Sequence, residues 1–125
     1  MFEYSDIEQI TNCYIANASS HMFNNCNSLT DVDIAMGPLE DAPYMFCSCS
    51  YLVNASIKYN PITTRDCDFS RMFSDCNKLQ SLSIKSWDDT YAEDEGFPYC
   101  KHAPHMFCGC YNLSSDDIVS AVWKM

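Results

Sequence analysis

The sequence predicts an α/β repeat fold, a solenoid of about five short coils with parallel short strands, irregular insert loops and a C-terminal capping helix. Three observations predict it. The dipeptide Met-Phe recurs along the chain, a Cys follows three residues after each Phe, and a Leu follows three residues after each Cys. Apolar residues then alternate in most copies. The recurring methionines are Met22, Met45, Met72 and Met106.

The template M-F-x-x-C-x-x-L-x-x-φ-x-I, with φ apolar, contains two different periods. Its Phe, Cys and Leu recur at every third residue, which is typical of a short helical or 3₁₀ turn. Its last positions alternate with period two, which is typical of a strand with one buried face. One such unit cannot bury its own apolar face, so the template predicts stacked copies with parallel strands on one side.

The first copy is expected near residues 3–15 and is degenerate. Tyr4 takes the Phe place, Ile7 the Cys place and Ile10 the Leu place. Cys13 and Ile15 then fill the alternating positions. No capping element precedes this copy in the sequence, so we expect a partner, a further domain or another copy of the chain to cover the N-terminal edge.

Three regular copies follow near residues 22–34, 45–57 and 72–84. Each ends in an alternating apolar pair, as in Val32 and Ile34. The segments that separate successive copies lengthen along the chain. In repeat proteins such insertions lie on one face, which is often the binding face.

The last copy, near residues 106–118, departs from the template because Asp116 stands at an apolar place. Ser114 with Asp117 three residues later forms a loose capping box. Ile118 and Val122, four residues apart, suit one face of a helix. We therefore predict a capping helix at about 115–124 that closes a single domain spanning residues 1–125.

The template resembles leucine-rich repeats of the BspA-like type, whose unit is similar to A-F-x-x-C-x-x-L-x-x-I. With Met before Phe it looks like the DUF285 repeats of bacterial surface proteins and mycoplasma lipoproteins. The resemblance rests on the four M-F-x-x-C-x-x-L segments that begin at residues 22, 45, 72 and 106. It implies a right-handed leucine-rich-repeat coil and a role in adhesion or protein binding, with no catalytic residues to carry over. Bacteriophage virion proteins carry similar modules, so a virion is a second expected setting.

Charge and hydropathy exclude several classes of function. The formal net charge of −10 disfavours nucleic acid as a partner, since such a surface repels phosphates. The 47% hydrophobic content is not that of a disordered acidic tail. No apolar run approaches the roughly 20 residues of a membrane span, so membrane insertion is not expected. The opening MFEYSDIEQI lacks a basic region, which predicts no secretory signal. A virion or a bacterial cell surface is the expected location.

The cysteines allow two interpretations. The chain has 9, an odd number. Those of the template take equivalent places in successive copies, which favours a stacked row of reduced core thiols over a disulfide scaffold. The alternative is a zinc- or redox-dependent protein, although C-x-C differs from the usual zinc spacing. The candidate ligands for that alternative are Cys100, His102, His105 and Cys108.

The leading hypothesis is a non-enzymatic module that binds a protein or glycan and needs no cofactor. Polar residues between the buried strand positions would form one contact face, and aromatic residues in the longest insert would extend it. Homo-oligomers or larger assemblies would form through the N-terminal edge. The candidate strand residues are Tyr14, Asp31, Asp33, Asn54, Ser56, Lys58, Ser83 and Lys85, and the insert residues are Trp87, Tyr91, Phe97 and Tyr99.

Overall fold

The fold is strand-rich and repeat-like, and its centre is one parallel sheet. The computed structural model describes residues 2–17, 19–38, 41–60, 68–86 and 105–114. The sheet has four strands in chain order, so the predicted parallel strands are confirmed. Within the described residues no helix occurs. The strands are β1 (Gln9–Ile15), β2 (Asp31–Pro38), β3 (Asn54–Asn60) and β4 (Ser81–Ser86).

The strands pair in the register that the template predicts. Val32 lies beside Ala55, and Ala55 lies beside Leu82. Ile34, Ile57 and Ile84 form the next row and are buried. One face of the sheet therefore carries the core, because alternate residues of a strand point to opposite faces. The buried alternation continues to Met36 and Tyr59, beyond the end of the template.

A second ladder of backbone hydrogen bonds joins the Met-Phe segments. The Phe23 N–H donates to the carbonyl of Met45 at 2.8 Å, and two residues on, the Asn25 N–H donates to Cys47 at 2.8 Å. The next repeat continues the pattern, since the Phe46 N–H donates to Met72 at 2.8 Å. Each repeat is thus held to the following one on two sides, by the sheet and by this amide ladder.

The period of three comes from consecutive turns, so the expected helical turn is wrong for the described residues. The Cys26 N–H donates to the Phe23 carbonyl at 3.3 Å, and the Leu29 N–H donates to Cys26 at 3.2 Å. Asn25, between Phe23 and Cys26, has a φ of 59°. A residue at positive φ ends any helical path but suits the third position of a type II turn.

Phenylalanine rings stack along the repeats. Phe46 lies between Phe23 and Phe73, with ring centroids 5.3 and 5.4 Å away. The stack continues to Phe2 at one end and to Phe107 at the other, with planes within 4° to 8° of parallel. Phe46 and Phe73 have no exposed surface. The core is therefore a continuous column, as stacked repeats require.

The alignment predicted for the first copy is wrong. Phe2, and not Tyr4, stacks on Phe23, while Tyr4 is 70% exposed. Ile10 lies beside Val32 in the sheet and so occupies a strand position, not the Leu place. The register between β1 and β2 then shifts at a bulge where Asn12 has a φ of 52°. After the bulge Cys13 lies beside Ile34, and its side chain is exposed because β1 is the last described strand on that side of the sheet.

Some predicted elements lie outside the described residues. These are the capping helix at about 115–124 and the end of the last copy. The described part of that copy, residues 105–114, keeps its Phe in the stack and buries Cys110 and Leu113. No helix among the described residues is long and apolar enough to cross a membrane.

Candidate functional site

The outer face of the sheet carries polar side chains in three rows, and we call it the strand face. Register alone places these residues together, because the strands are parallel and start in phase. The predicted strand residues all fall in these rows. The rows are Gln9, Asp31, Asn54 and Ser81; then Asp33, Ser56 and Ser83; then Tyr14, Ala35, Lys58 and Lys85.

Small side chains leave an open hollow on the strand face. Its volume is about 510 Å³, and serines, an asparagine and the two aspartates of β2 line it. A second hollow of about 170 Å³ adjoins it between Tyr14, Asp33 and Lys58. Hydroxyl, amide and carboxylate groups thus surround a space that water or a polar ligand group can occupy.

Asp31 is held in place by its neighbours on this face. The Asn54 Nδ2 donates to Asp31 Oδ1 at 2.8 Å, and the Thr30 Oγ1 donates to Oδ2 at 2.9 Å. The Gln9 Nε2 reaches the same oxygen at 3.5 Å. The bond from Asn54, followed by that from Thr30, lowers the pKa of Asp31 below its ordinary value. The carboxylate is therefore a fixed negative charge at the edge of the hollow.

The strand face is divided by charge. Asp31 and Asp33 lie on β2, whereas Lys58 and Lys85 lie on β3 and β4. Tyr14 stands on β1 at the end of the lysine row and is 56% exposed. The face therefore presents acidic, basic and aromatic groups in adjacent positions, which suits recognition of a partner by charge complementarity.

The aromatic residues predicted to extend this surface, Trp87, Tyr91, Phe97 and Tyr99, lie outside the described residues. Their contribution to binding stays a prediction.

The metal hypothesis is only partly covered by the described residues. Cys100 and His102 lie outside them. His105 and Cys108 are exposed in one turn, where the Cys108 N–H donates to the His105 carbonyl at 3.2 Å. Among residues 105–114 and the other described ranges, no group of three His, Cys, Asp or Glu is placed to hold a metal. The zinc or redox role stays a prediction.

The template cysteines form a row of buried hydrogen-bond donors. The Cys49 thiol donates to the Phe23 carbonyl of the preceding repeat at 3.1 Å, and the Cys76 thiol donates to Phe46 at 3.1 Å. Cys26 and Cys110 make the equivalent bonds. All four are free thiols at equivalent places, so the predicted stacked row of template cysteines is confirmed for these positions.

Burial suppresses ionisation of these thiols. Desolvation raises the pKa of Cys49 to about 12 and that of Cys110 to about 11. The thiolate is the nucleophile and the metal ligand. The thiol row therefore serves packing between repeats.

Sequence reasoning missed the residues that shape the turns. Positive φ recurs two residues after each Phe of the template, at Asn25, Ser48, Asp75 and Gly109. Asn, Asp and Gly are the residues enriched in that conformation, so their recurrence at this place was an available signal.

Comparisons with protein-family models, curated proteins and solved structures found no match to this chain.

Proposed function

We propose that this chain is a non-enzymatic binding module whose strand face contacts a protein partner. The observation that carries the proposal is the polar hollow of about 510 Å³ on that face. The opposite face of the sheet is filled by apolar side chains, so binding groups are confined to one side. The strand face is therefore the proposed binding surface, and the buried thiols have no role in binding.

We also propose that the repeats form a leucine-rich-repeat solenoid closed by a C-terminal helix. Two parallel ladders, one in the sheet and one between the Met-Phe segments, support successive coils. The template's resemblance to BspA-like repeats supports the same arrangement. A bacterial surface protein or a phage virion is the setting that this resemblance suggests.

The charge pattern favours a protein as the partner. Asp31 is fixed by three side-chain donors, and two lysines lie further along the next two strands on the same face. A partner surface with both signs of charge at matching spacing fits such an arrangement. The exposed ring of Tyr14 supplies an anchor of the kind that is enriched at protein interfaces.

A glycan is the second candidate partner, and one observation favours it. Tyr14 borders a hollow lined by hydroxyl, amide and carboxylate groups. Sugars offer hydroxyl groups for such hydrogen bonds and apolar faces for an aromatic ring. A glycan array probed with the purified chain separates this candidate from a protein partner.

Paired charge reversals test the strand face. Lys58→Glu alters it, whereas Lys78→Glu makes the same chemical change on a turn between β3 and β4, where Lys78 lies over the ring of Tyr51. Both lysines are exposed, so each variant is expected to fold. Partners cross-linked to the wild-type chain should be retained by Lys78→Glu and lost from Lys58→Glu.

A second pair fills the hollow. Ser83→Arg places a long side chain in it, and Ser28→Arg places the same side chain on an exposed turn. Circular dichroism confirms that each variant is folded. If partners or array glycans bind Ser83→Arg as well as they bind Ser28→Arg, the strand face is not the binding surface.

A further inference from the structure

The sheet ends at β1 in an apolar groove that adjoins the hollow of the strand face, since Gln9, Ile10 and Thr11 line both. Its volume is about 690 Å³. Phe2, Ile7, Ile10 and Met22 contribute to its lining, and the ring of Phe2 is 39% exposed. This is the end of the phenylalanine column, because Phe2 stacks on Phe23 and on no other described ring.

The backbone at this end is arranged to accept another segment. In each later repeat, the carbonyl of the residue after Phe accepts an N–H from the preceding repeat, as Cys47 accepts from Asn25 at 2.8 Å. Asn24 likewise accepts from Tyr4 at 2.9 Å. Glu3 holds the equivalent place in the first repeat, and no described residue donates to its carbonyl. β1 similarly pairs only with β2 among the described strands.

The charge around the groove is acidic. Glu3, Asp6 and Glu8 are exposed, and each is next in sequence to a residue of the lining. The first Lys or Arg of the chain is Lys58, and His21 is the one histidine among residues 1–57. An apolar floor with an acidic rim fits an occupant that is apolar and basic. Two copies meeting by their N-terminal ends would instead oppose like charges.

We propose that the groove beside β1 binds an extended, Lys- or Arg-bearing apolar segment of a partner protein as an additional repeat. The segment adds a parallel strand to β1 and donates an N–H to the Glu3 carbonyl. Its aromatic or aliphatic side chain covers the open face of Phe2. This is strand addition, in which the main chain supplies affinity and alternate side chains supply specificity.

Two segments of this chain provide matched probes. Residues 69–86 contain the template with Arg71, Lys78 and Lys85 and a single acid, Asp75. Residues 19–36 have the same length and the same template with two acids and no Lys or Arg. Used as labelled synthetic peptides in reducing buffer, the two segments differ in charge but share the repeat template. We expect residues 69–86 to bind the full chain at least about tenfold more tightly at low salt, with the difference shrinking as salt rises.

One double variant and one protection experiment locate the binding site. The double variant Asp6→Lys, Glu8→Lys should bind the 69–86 peptide about tenfold or more weakly than the wild-type chain does. It should bind the 19–36 peptide more tightly. Cys13 lines the groove, and Cys108 is an exposed thiol in the last described repeat. Bound peptide should slow the alkylation of Cys13 and leave the alkylation rate of Cys108 unchanged. Mass spectrometry measures both rates.

Three results would overturn the proposal. Equal binding of the two peptides would remove the role of charge. Binding without protection of Cys13 would place the peptide elsewhere, for example in exchange with the chain's own residues 69–86. Concentration-dependent self-association that protects Cys13 without peptide would make a second copy the occupant. None of these results bears on Lys58→Glu, so the strand-face proposal stands or falls separately.

Discussion

Phe46→Ala tests whether the aromatic column stabilises the repeats. The Phe46 ring has no exposed surface and stacks between Phe23 and Phe73 at 5.3 and 5.4 Å. Phe2→Ala is the matched control, because Phe2 makes one such contact and is 39% exposed. The two substitutions remove the same atoms from the middle and from the end of one column.

The expected magnitudes differ because of burial and contact number. Phe to Ala in a packed core costs about 3–5 kcal/mol from lost transfer energy and the cavity left behind. Each aromatic pair contributes roughly 0.5–1.5 kcal/mol beyond burial, and Phe46 loses two pairs where Phe2 loses one. We expect Phe46→Ala to cost about 4 kcal/mol and Phe2→Ala about 1–2 kcal/mol. Since domains of this size have about 5–15 kcal/mol of stability, the first variant should be close to unfolding.

Urea denaturation followed by far-ultraviolet circular dichroism measures both variants. An unchanged slope of free energy against urea would show that the two-state comparison is valid. Phe46→Leu keeps most of the apolar volume and should cost less than Phe46→Ala, since only the stacked contacts are lost. If Phe46→Ala is no more destabilising than Phe2→Ala, the rings do not form a continuous column.

Three further predictions concern the thiols and the backbone. Burial raises the pKa of Cys49 from 9.0 to about 12. The contribution of this thiol to the free energy of unfolding is therefore fully present below about pH 9 and falls by up to about 1.4 kcal/mol per pH unit above it. Urea midpoints at pH 8 and 10 should show a smaller fall for Cys49→Ala; an equal fall would contradict this. Ser48→Gly should raise the thermal midpoint slightly, since Ser48 has a φ of 61°. Gly109→Ala should lower it, because φ is 84° and the new Cβ would lie 2.5 Å from Asp75 Oδ1; the reverse order would refute the turn assignment. Gly37→Ala should cost about 1–3 kcal/mol in the same assay, because its Cβ would lie 2.6 Å from a carbonyl oxygen; an unchanged midpoint would show room for a methyl group.

The regular repeats could be predicted because their spacing is constant. Equal intervals from Phe to the inward apolar strand residues place Val32, Ala55 and Leu82 in one row, as the sheet shows. Once that register is known, the outward residues between them must share a face. The polar strand face was therefore predictable from sequence, whereas its hollow depends on side-chain sizes across three strands.

The first repeat could not be aligned by constant spacing. Phe2 to Ile10 is one residue shorter than Phe23 to Val32, and the bulge at Asn12 restores the count before Ile15. A fixed template laid on this segment therefore moves to Tyr4. The compensating change is visible only when both the ring stack and the strand pairing are known.

The helical interpretation failed for a different reason. Turns with i to i+3 hydrogen bonds and a 3₁₀ helix both bring every third residue to one side. The distinction lies in the backbone of the residue between them, such as Asp75 with a φ of 62°. Since Ser48 and Tyr4 occupy equivalent places without being typical left-handed residues, composition alone did not decide between the two.

Amide hydrogen exchange tests most directly the claim that the repeats are held in register by the Met-Phe ladder. The N–H groups of Phe23, Phe46 and Phe73 each donate to a methionine of the next repeat at 2.8 to 3.0 Å. We expect these three amides to exchange only on global unfolding, and to lose protection together in Phe46→Ala. Exchange of all three at rates near those of an unfolded chain would contradict the ladder, and with it the strand register on which the proposed binding face depends.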